Sequence, residues 1–215
     1  VSGALEKGAK DLLPAGTACA SAGIVIGVVT VTGIGVRFSS TIIDLSRGNL
    51  LMALIFTAVI SIILGMGLPT VAAYIITAVM CAPAMISLGV SELAAHMFVF
   101  YYSLLSNVTP PVAMAAYAAA GITGGNPYKT AAYATGYSAV AFVVPFMFAL
   151  YPEGLSLLLL GSITDTAWRF CMGLIAIVCL GGSFMGWLIR KTTIIERLML
   201  LAAFILLLQP YLQTD

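Results

Sequence analysis

Most charges of this chain fall into a few tight groups, and apart from the single carboxylates Glu92 and Glu153 the stretches between the groups are neutral and apolar. The groups are Lys7/Lys10, Arg37/Asp44/Arg47, Lys129, Asp165/Arg169 and Arg190/Lys191/Arg197. A bilayer core about 30 Å thick is crossed by roughly 20 apolar residues in helical form, and several of the runs reach that length. Only 8% of the 215 residues are charged and 61% are apolar, against about 25% charged in an ordinary soluble domain. Seventeen charges are too few to cover a water-facing surface of this size. The chain therefore reads as an all-α, polytopic membrane protein embedded in a lipid bilayer.

Several function classes drop out at once. A net charge of +1 offers no basic patch to neutralise phosphates, so no nucleic-acid partner is expected. Cys19, Cys81, Cys171 and Cys179 lie inside apolar runs without a CxxC pair and read as small buried hydrophobes. His96 is the one histidine, and a single imidazole without clustered thiols or carboxylates makes no transition-metal site. No cofactor is expected. The chain starts without Met or a signal-peptide pattern and reads as an internal or C-terminal piece of a longer membrane protein.

The apolar runs are Leu12–Val36, Asn49 to about Leu88, Leu93–Ile122, Thr130–Tyr151, a short Leu155–Ile163, Ala167–Ile189 and Ile194–Leu208. A polar loop carrying Arg37, Asp44 and Arg47 separates the first two. The positive-inside rule puts the Arg190/Lys191/Arg197 turn in the cytoplasm. Counting back, Glu153 and Asp165 fall outside, Lys129 inside and Glu92 outside. Upstream, Lys7/Lys10 and Arg37/Arg47 both carry cytoplasmic character across a single run. Either that run is a re-entrant hairpin bent around Thr30, Thr32, Gly33 and Gly35, or it is an ordinary span with weak charge bias.

The informative features are two interruptions, Gly65-Met66-Gly67-Leu68-Pro69-Thr70 and Ser106-Asn107-Val108-Thr109-Pro110-Pro111. Each predicts discontinuous helices. In hydrocarbon an unpaired backbone group costs several kcal/mol, so non-helical backbone persists only inside protein or beside a water-filled cavity. Pro110 and Pro111 remove two donors in a row, Pro69 removes another, and Gly65 and Gly67 permit unusual dihedrals. Freed carbonyls then lie beside the oxygens of Thr70, Ser106, Asn107 and Thr109, an environment suited to a small hard cation such as Na⁺. The helix after each break also turns its positive N-terminal end toward the same place, which suits an anion. Broken helices used twice in this way recur in secondary transporters.

Other residues have plainer readings. Pro83 and Pro145 predict kinks. His96 reads as a packed or interfacial imidazole rather than a proton relay, and Glu92 as a solvated carboxylate. Tyr101 and Tyr102 line a cavity or pack. Gly181, Gly182 and Gly186 allow close helix contact. Asp165 and Arg169 are spaced to pair at the membrane surface.

The stretches Gly65-Met66-Gly67-Leu68-Pro69-Thr70, Ala94-Ala95-His96-Met97-Phe98-Val99-Phe100, Ser106-Asn107-Val108-Thr109-Pro110-Pro111-Val112 and Ala115-Ala116-Tyr117-Ala118-Ala119-Ala120-Gly121-Ile122 resemble the large membrane subunit of tripartite ATP-independent periplasmic (TRAP) transporters. The resemblance is to the fused permeases that work with TAXI-type solute-binding proteins, whose tail is similar to Trp187–Arg190 and Ile195–Leu198. It implies an elevator-type carrier in a bacterial or archaeal inner membrane, with Na⁺-coupled uptake of an organic anion, or carboxylate, delivered by a periplasmic solute-binding protein. Residues 1–151 would be the second inverted repeat of the transport core, and 152–215 the extra C-terminal helices. The two turns would supply ion and substrate contacts. One departure stands out: related branches carry Asp before the Pro of the first turn, where this chain has Leu68. A channel using the same breaks as a filter is the alternative. An enzyme is not expected, since no nucleophile–base pair or intramembrane carboxylate is present.

Overall fold

The computed structural model describes residues 2–160, 162–188 and 190–208. Ten helices make up the described residues: α1 Ser2–Thr32, α2 Ile34–Ser46, α3 Leu50–Gly65, α4 Thr70–Ser87, α5 Glu92–Leu105, α6 Met114–Thr123, α7 Pro127–Tyr137, α8 Ala139–Ala149, α9 Ile163–Met185 and α10 Ile194–Leu208. A short 3-10 segment, Pro152–Leu158, joins α8 to α9. No strand occurs among the described residues. Three helical stretches are long and apolar enough to cross a membrane, Thr70–Ser87, Pro127–Ala149 and Thr166–Met185, or up to four if the bent pair at the N-terminus is one span. The fold is that of an all-α polytopic membrane protein.

Helices that start in connecting loops carry side-chain caps. Asn49 accepts from the Met52 N–H, Ser91 from Ala94 and Asn126 from Lys129, which satisfies donors the first turn leaves unpaired. Helices that start at breaks inside apolar runs carry none. α2, α4 and α6 begin at Gly33, Pro69 and Ala113 without any capping bond from a side chain.

The first break falls at Gly33, whose φ of 68° ends α1. The chain turns by 71° there, so α1 and α2 meet at a sharp bend within the predicted Thr30–Gly35 stretch. The polar loop expected over Arg37–Arg47 is mostly absent. Arg37 and Asp44 lie on α2, and only Arg47 sits past its end. Thr30 and Thr32 donate their hydroxyls back to the Ile26 and Val28 carbonyls. α2 then lies along α4. A Cβ on Gly35 would meet the Val79 carbonyl oxygen at 3.2 Å, the acceptor that Pro83, lacking an N–H, leaves unused. Ser39 donates to the next carbonyl, Met80, at 2.9 Å.

The core gathers α2, α3, α4, α5 and α8 around Ile42, Leu54, Met85, Phe98 and Val99. Phe98 and Tyr102 meet Phe146 edge to face, and the Tyr102 hydroxyl donates to the Phe142 carbonyl. Inside this core runs a file of hydroxyls. Thr57, Ser61 and Gly65 share one face of α3 at four-residue spacing, and Thr77 on α4, Ser103 on α5 and Ser106 just past the end of α5 are equally buried. Thr77 Oγ1 and Ser103 Oγ are 2.8 Å apart. Thr57 Oγ1 has no hydrogen-bond partner among the described residues, and Ser61 Oγ lies beside the Cys81 thiol. Two substitutions separate these cases. Thr77→Val removes a made bond and should lower unfolding free energy by about 1 kcal/mol. Thr57→Val keeps the shape and deletes a hydroxyl that costs energy to bury, so it should be neutral or stabilising by about 1 kcal/mol. Thermal melts in detergent decide it. A fall on Thr57→Val would mean that its hydroxyl is engaged after all.

The last two helices form a pair. α9 packs against α10, with Ala176, Leu180 and Phe204 buried between them. α9 ends at Met185 rather than continuing to Ile189, because Gly186 adopts φ 68° and turns the chain. Gly182 permits the close approach: a Cβ there would meet Leu188 Cδ1 at 2.7 Å and Leu200 Cδ1 at 3.3 Å. Gly181 faces open space, so the small-residue contact is made by Gly182 and Gly186. The Asp165 side chain lies outside the described residues.

Candidate ion and substrate site

α3 stops at Gly65 because the next residues leave helical geometry. Met66 is extended, Gly67 has φ 77°, and Pro69 at φ −57° and ψ 143° leads into α4. The turn closes with Met66 N–H on the Ile63 carbonyl and Leu68 N–H on the Gly65 carbonyl, both at 3.3 Å. No hydrogen bond from the described residues reaches the carbonyls of Met66, Gly67 or Leu68. On the other side of the turn, Ala73 is the first residue of α4 to bond back, to Pro69. The N–H groups of Thr70, Val71 and Ala72 are therefore left as free donors at a positive helix end.

The second break runs from Ser106 to Ala113 and is more closely tied. Asn107 O accepts from Ala115 N–H at 3.1 Å, and Thr109 O from Ala113 N–H at 3.2 Å. Val108 O accepts the Thr135 hydroxyl of α7 at 3.0 Å, and Pro111 O the Tyr117 hydroxyl of α6 at 2.6 Å. The Pro110–Pro111 peptide bond is cis. Most carbonyls freed by the two prolines are thus paired once, which differs from the expectation of open backbone oxygens. Each keeps a second lone pair. Ala113 is wholly buried at φ 35°, a left-handed conformation that a residue with a Cβ holds only when its surroundings enforce it.

The two breaks meet. Gly65 and Ser106 are so close that a Cβ on Gly65 would stand 2.7 Å from Ser106 Oγ and 3.0 Å from Ser106 Cβ. Ser106 is 1% exposed and donates its hydroxyl to the Ser103 carbonyl at 2.7 Å. Its hydroxyl proton is committed within its own segment, and its contact with Gly65 is close packing between the two turns. Asn107 and Thr109, half-buried, follow it into the break. Asn107 Nδ2 makes a long 3.4 Å bond to the Leu104 carbonyl, and Thr109 Oγ1 donates to Leu105 O at 2.7 Å. Gly67, Pro69, Pro110 and Pro111 are exposed and Thr70 half-buried. None of the residues 65–70 or 106–111 is charged, and no group of three or more His, Cys, Asp or Glu stands together among the described residues. The oxygens offered are neutral and hard, which suits an alkali cation better than a transition metal.

Other candidates lie apart from the breaks. Gly35 contacts Val79, nine residues beyond Thr70 on α4, so the Thr30–Gly35 bend does not join them. His96 Nδ1 is 3.0 Å from the Tyr74 hydroxyl, a packed imidazole. Tyr101 lines a cavity of about 210 Å³ with Phe148 and Leu174, and Tyr102 is core. Pro83 and Pro145 sit inside α4 and α8. Thr135, Tyr117 and Ala113 are the participants that sequence reasoning misses. Thr135 reaches Val108 across 27 residues, a pairing no local pattern announces.

Residues 1–165 match the family described as Tripartite ATP-independent periplasmic transporter, DctM component. No curated protein and no solved structure matches the chain. The matched residues contain both breaks, and they end near the start of α9.

Proposed function

The chain belongs to the DctM component family of tripartite ATP-independent periplasmic transporters, and from that premise we propose that it moves an organic anion, such as a carboxylate, together with Na⁺ through the paired breaks. The observation that carries this is the meeting of the two breaks at Gly65 and Ser106. Around that contact lie unpaired carbonyls of residues 66–68, the oxygens of Asn107 and Thr109, and two helix starts without caps. A cation is held by the oxygens, and an anion by the free N–H groups and the positive ends of α4 and α6. Neutral oxygens in place of an Asp at Leu68 leave the cation's charge uncompensated. Bringing in an anion then lowers the cost of both, which is the electrostatic root of coupling. The anion reaches the permease from a periplasmic solute-binding protein, of TAXI type by the resemblance, at an inner membrane.

The test uses the complete permease in proteoliposomes with its binding protein, recording uptake of candidate carboxylates with and without an inward Na⁺ gradient. Uptake that requires both is the expected result. Uptake driven by a proton gradient alone removes Na⁺ from the reading. Passive conductance without the binding protein replaces the carrier by a channel.

A further inference from the structure

The α9–α10 pair lies almost wholly beyond the family match, and the turn between its helices is built in detail. Thr192 N–H returns to the Gly186 carbonyl at 3.0 Å, and Leu188 N–H bonds the Arg190 carbonyl at 3.1 Å. The Arg197 guanidinium lies directly over Gly186, in the space a Cβ would fill. At the start of α10, Thr193 N–H donates to Glu196 Oε2 at 2.7 Å, and Glu196 N–H donates to Thr193 Oγ1 at 3.4 Å, a reciprocal cap. Arg190 Nη2 donates to Glu196 Oε1 at 2.9 Å.

Beside this turn opens a groove of about 580 Å³. Leu188, Met199, Leu200 and Ala203 give it an apolar length, and Arg190, Thr192 and Glu196 stand at its polar end. Thr192 Oγ1 is buried there without a hydrogen-bond partner among the described residues. The lining carries one cation and one carboxylate, Arg190 and Glu196, which pair with each other, and the exposed Lys191 next to Arg190 adds a positive charge that this pair leaves uncompensated. A groove that is apolar along its length and cationic at one end matches one class of molecule present around every membrane protein. We propose that it holds an acyl chain of an anionic phospholipid, with the phosphate at Arg190 and Lys191. Basic pockets beside membrane helices recognise anionic headgroups in this way. The α10 cap is already spent on Glu196, so the headgroup rests on side-chain cations rather than on the helix end.

The experiment places the full chain in phosphatidylcholine nanodiscs containing a minority of phosphatidylglycerol and measures lipid retained after transfer to mild detergent, by native mass spectrometry. Phosphatidylglycerol is expected to be enriched over its bulk share by about fivefold per engaged cation. Lys191→Gln, which leaves the Arg190–Glu196 pair in place, should lower the enrichment, and Arg190→Gln with Lys191→Gln should abolish it. Ala203→Trp fills the groove without touching a charge and should release the lipid altogether, with the thermal melt of each variant showing that it is folded. Retention at the bulk ratio, or enrichment that survives the double substitution, overturns the proposal. Displacement by inorganic phosphate as effective as loss of the lipid, or no retained lipid because another protein segment fills the groove, overturns it too.

Discussion

Gly65→Ala is expected to lower the melting temperature of the permease and to cut uptake about tenfold or more, for the sake of one methyl group. The added Cβ would stand 2.7 Å from Ser106 Oγ and 3.0 Å from Ser106 Cβ, and Ser106 cannot step aside. It is 1% exposed, and its hydroxyl is fixed on the Ser103 carbonyl at 2.7 Å. Forcing extra volume into a packed site costs about 1–3 kcal/mol. Alanine's better helix propensity acts in the opposite sense by at most about 1 kcal/mol, and less at position 65, where α3 is already ending. The clash therefore wins. Because the contact joins the two breaks, relief comes by moving one turn away from the other, and transport suffers beyond the loss of stability. Two partners test the cause. Ser106→Gly in the Gly65→Ala chain removes both clashing atoms and should return most of the lost stability, while Ser106→Ala, which keeps the Cβ, should return less. Melts of the wild type, Gly65→Ala, Ser106→Gly and the chain carrying both give the coupling directly. Additive effects, with no rescue, would show that the turns do not touch.

Much of this architecture was legible in the sequence because membranes make punctuation loud. In an apolar run, Gly67, Pro69 and the Pro110-Pro111 pair have no soluble-protein excuse, and both predicted breaks are found where those residues stand. Gly33, within the predicted Thr30–Gly35 bend, does end α1. What stayed hidden depends on contacts between distant segments. Arg37 and Asp44 look like loop residues by charge, yet α2 carries them on its exposed side while Gly35, Ser39 and Ile42 face the core. Trp187 and Leu188 belong by hydropathy to the helix before them, but Gly186 ends that helix first, and Ile189 lies outside the described residues. The open carbonyls expected at the second break are mostly taken by Thr135, Tyr117 and two backbone N–H groups. Ser106, chosen for its oxygen, turns out to be placed for its small size against Gly65. Helix capping could have been read further. Asn49, Ser91 and Asn126 are visible as caps, and the lack of any capping side chain at Pro69 and Ala113 is equally visible.

Asn107→Ala is expected to leave the fold intact and to reduce Na⁺-driven uptake about 10- to 100-fold, the scale of one hydrogen bond or ligand contact to a charged group. Asn107 holds the second break through its backbone, whose carbonyl accepts from Ala115 at 3.1 Å. Alanine keeps that bond. The side chain makes a single long contact, Nδ2 to Leu104 at 3.4 Å, so its removal should shift the melt by less than about 1 kcal/mol. Its amide oxygen receives no donor among the described residues and remains available to a cation. Asn107→Asp then separates two roles. If the oxygen binds Na⁺, a carboxylate there keeps Na⁺ stimulation and lowers the Na⁺ concentration for half-maximal uptake, though the added charge opposes the anion. If instead the amide nitrogen holds the anion, Asp is worse than Ala and Na⁺ dependence is unchanged in both. Thr109 provides the contrast within the same turn. Its hydroxyl proton is committed to Leu105 at 2.7 Å, so it can serve only as an acceptor. Thr109→Ser should keep function, and Thr109→Val should lose cation affinity while anion affinity follows only through coupling. Full uptake by both Asn107→Ala and Thr109→Val would move the site away from this break.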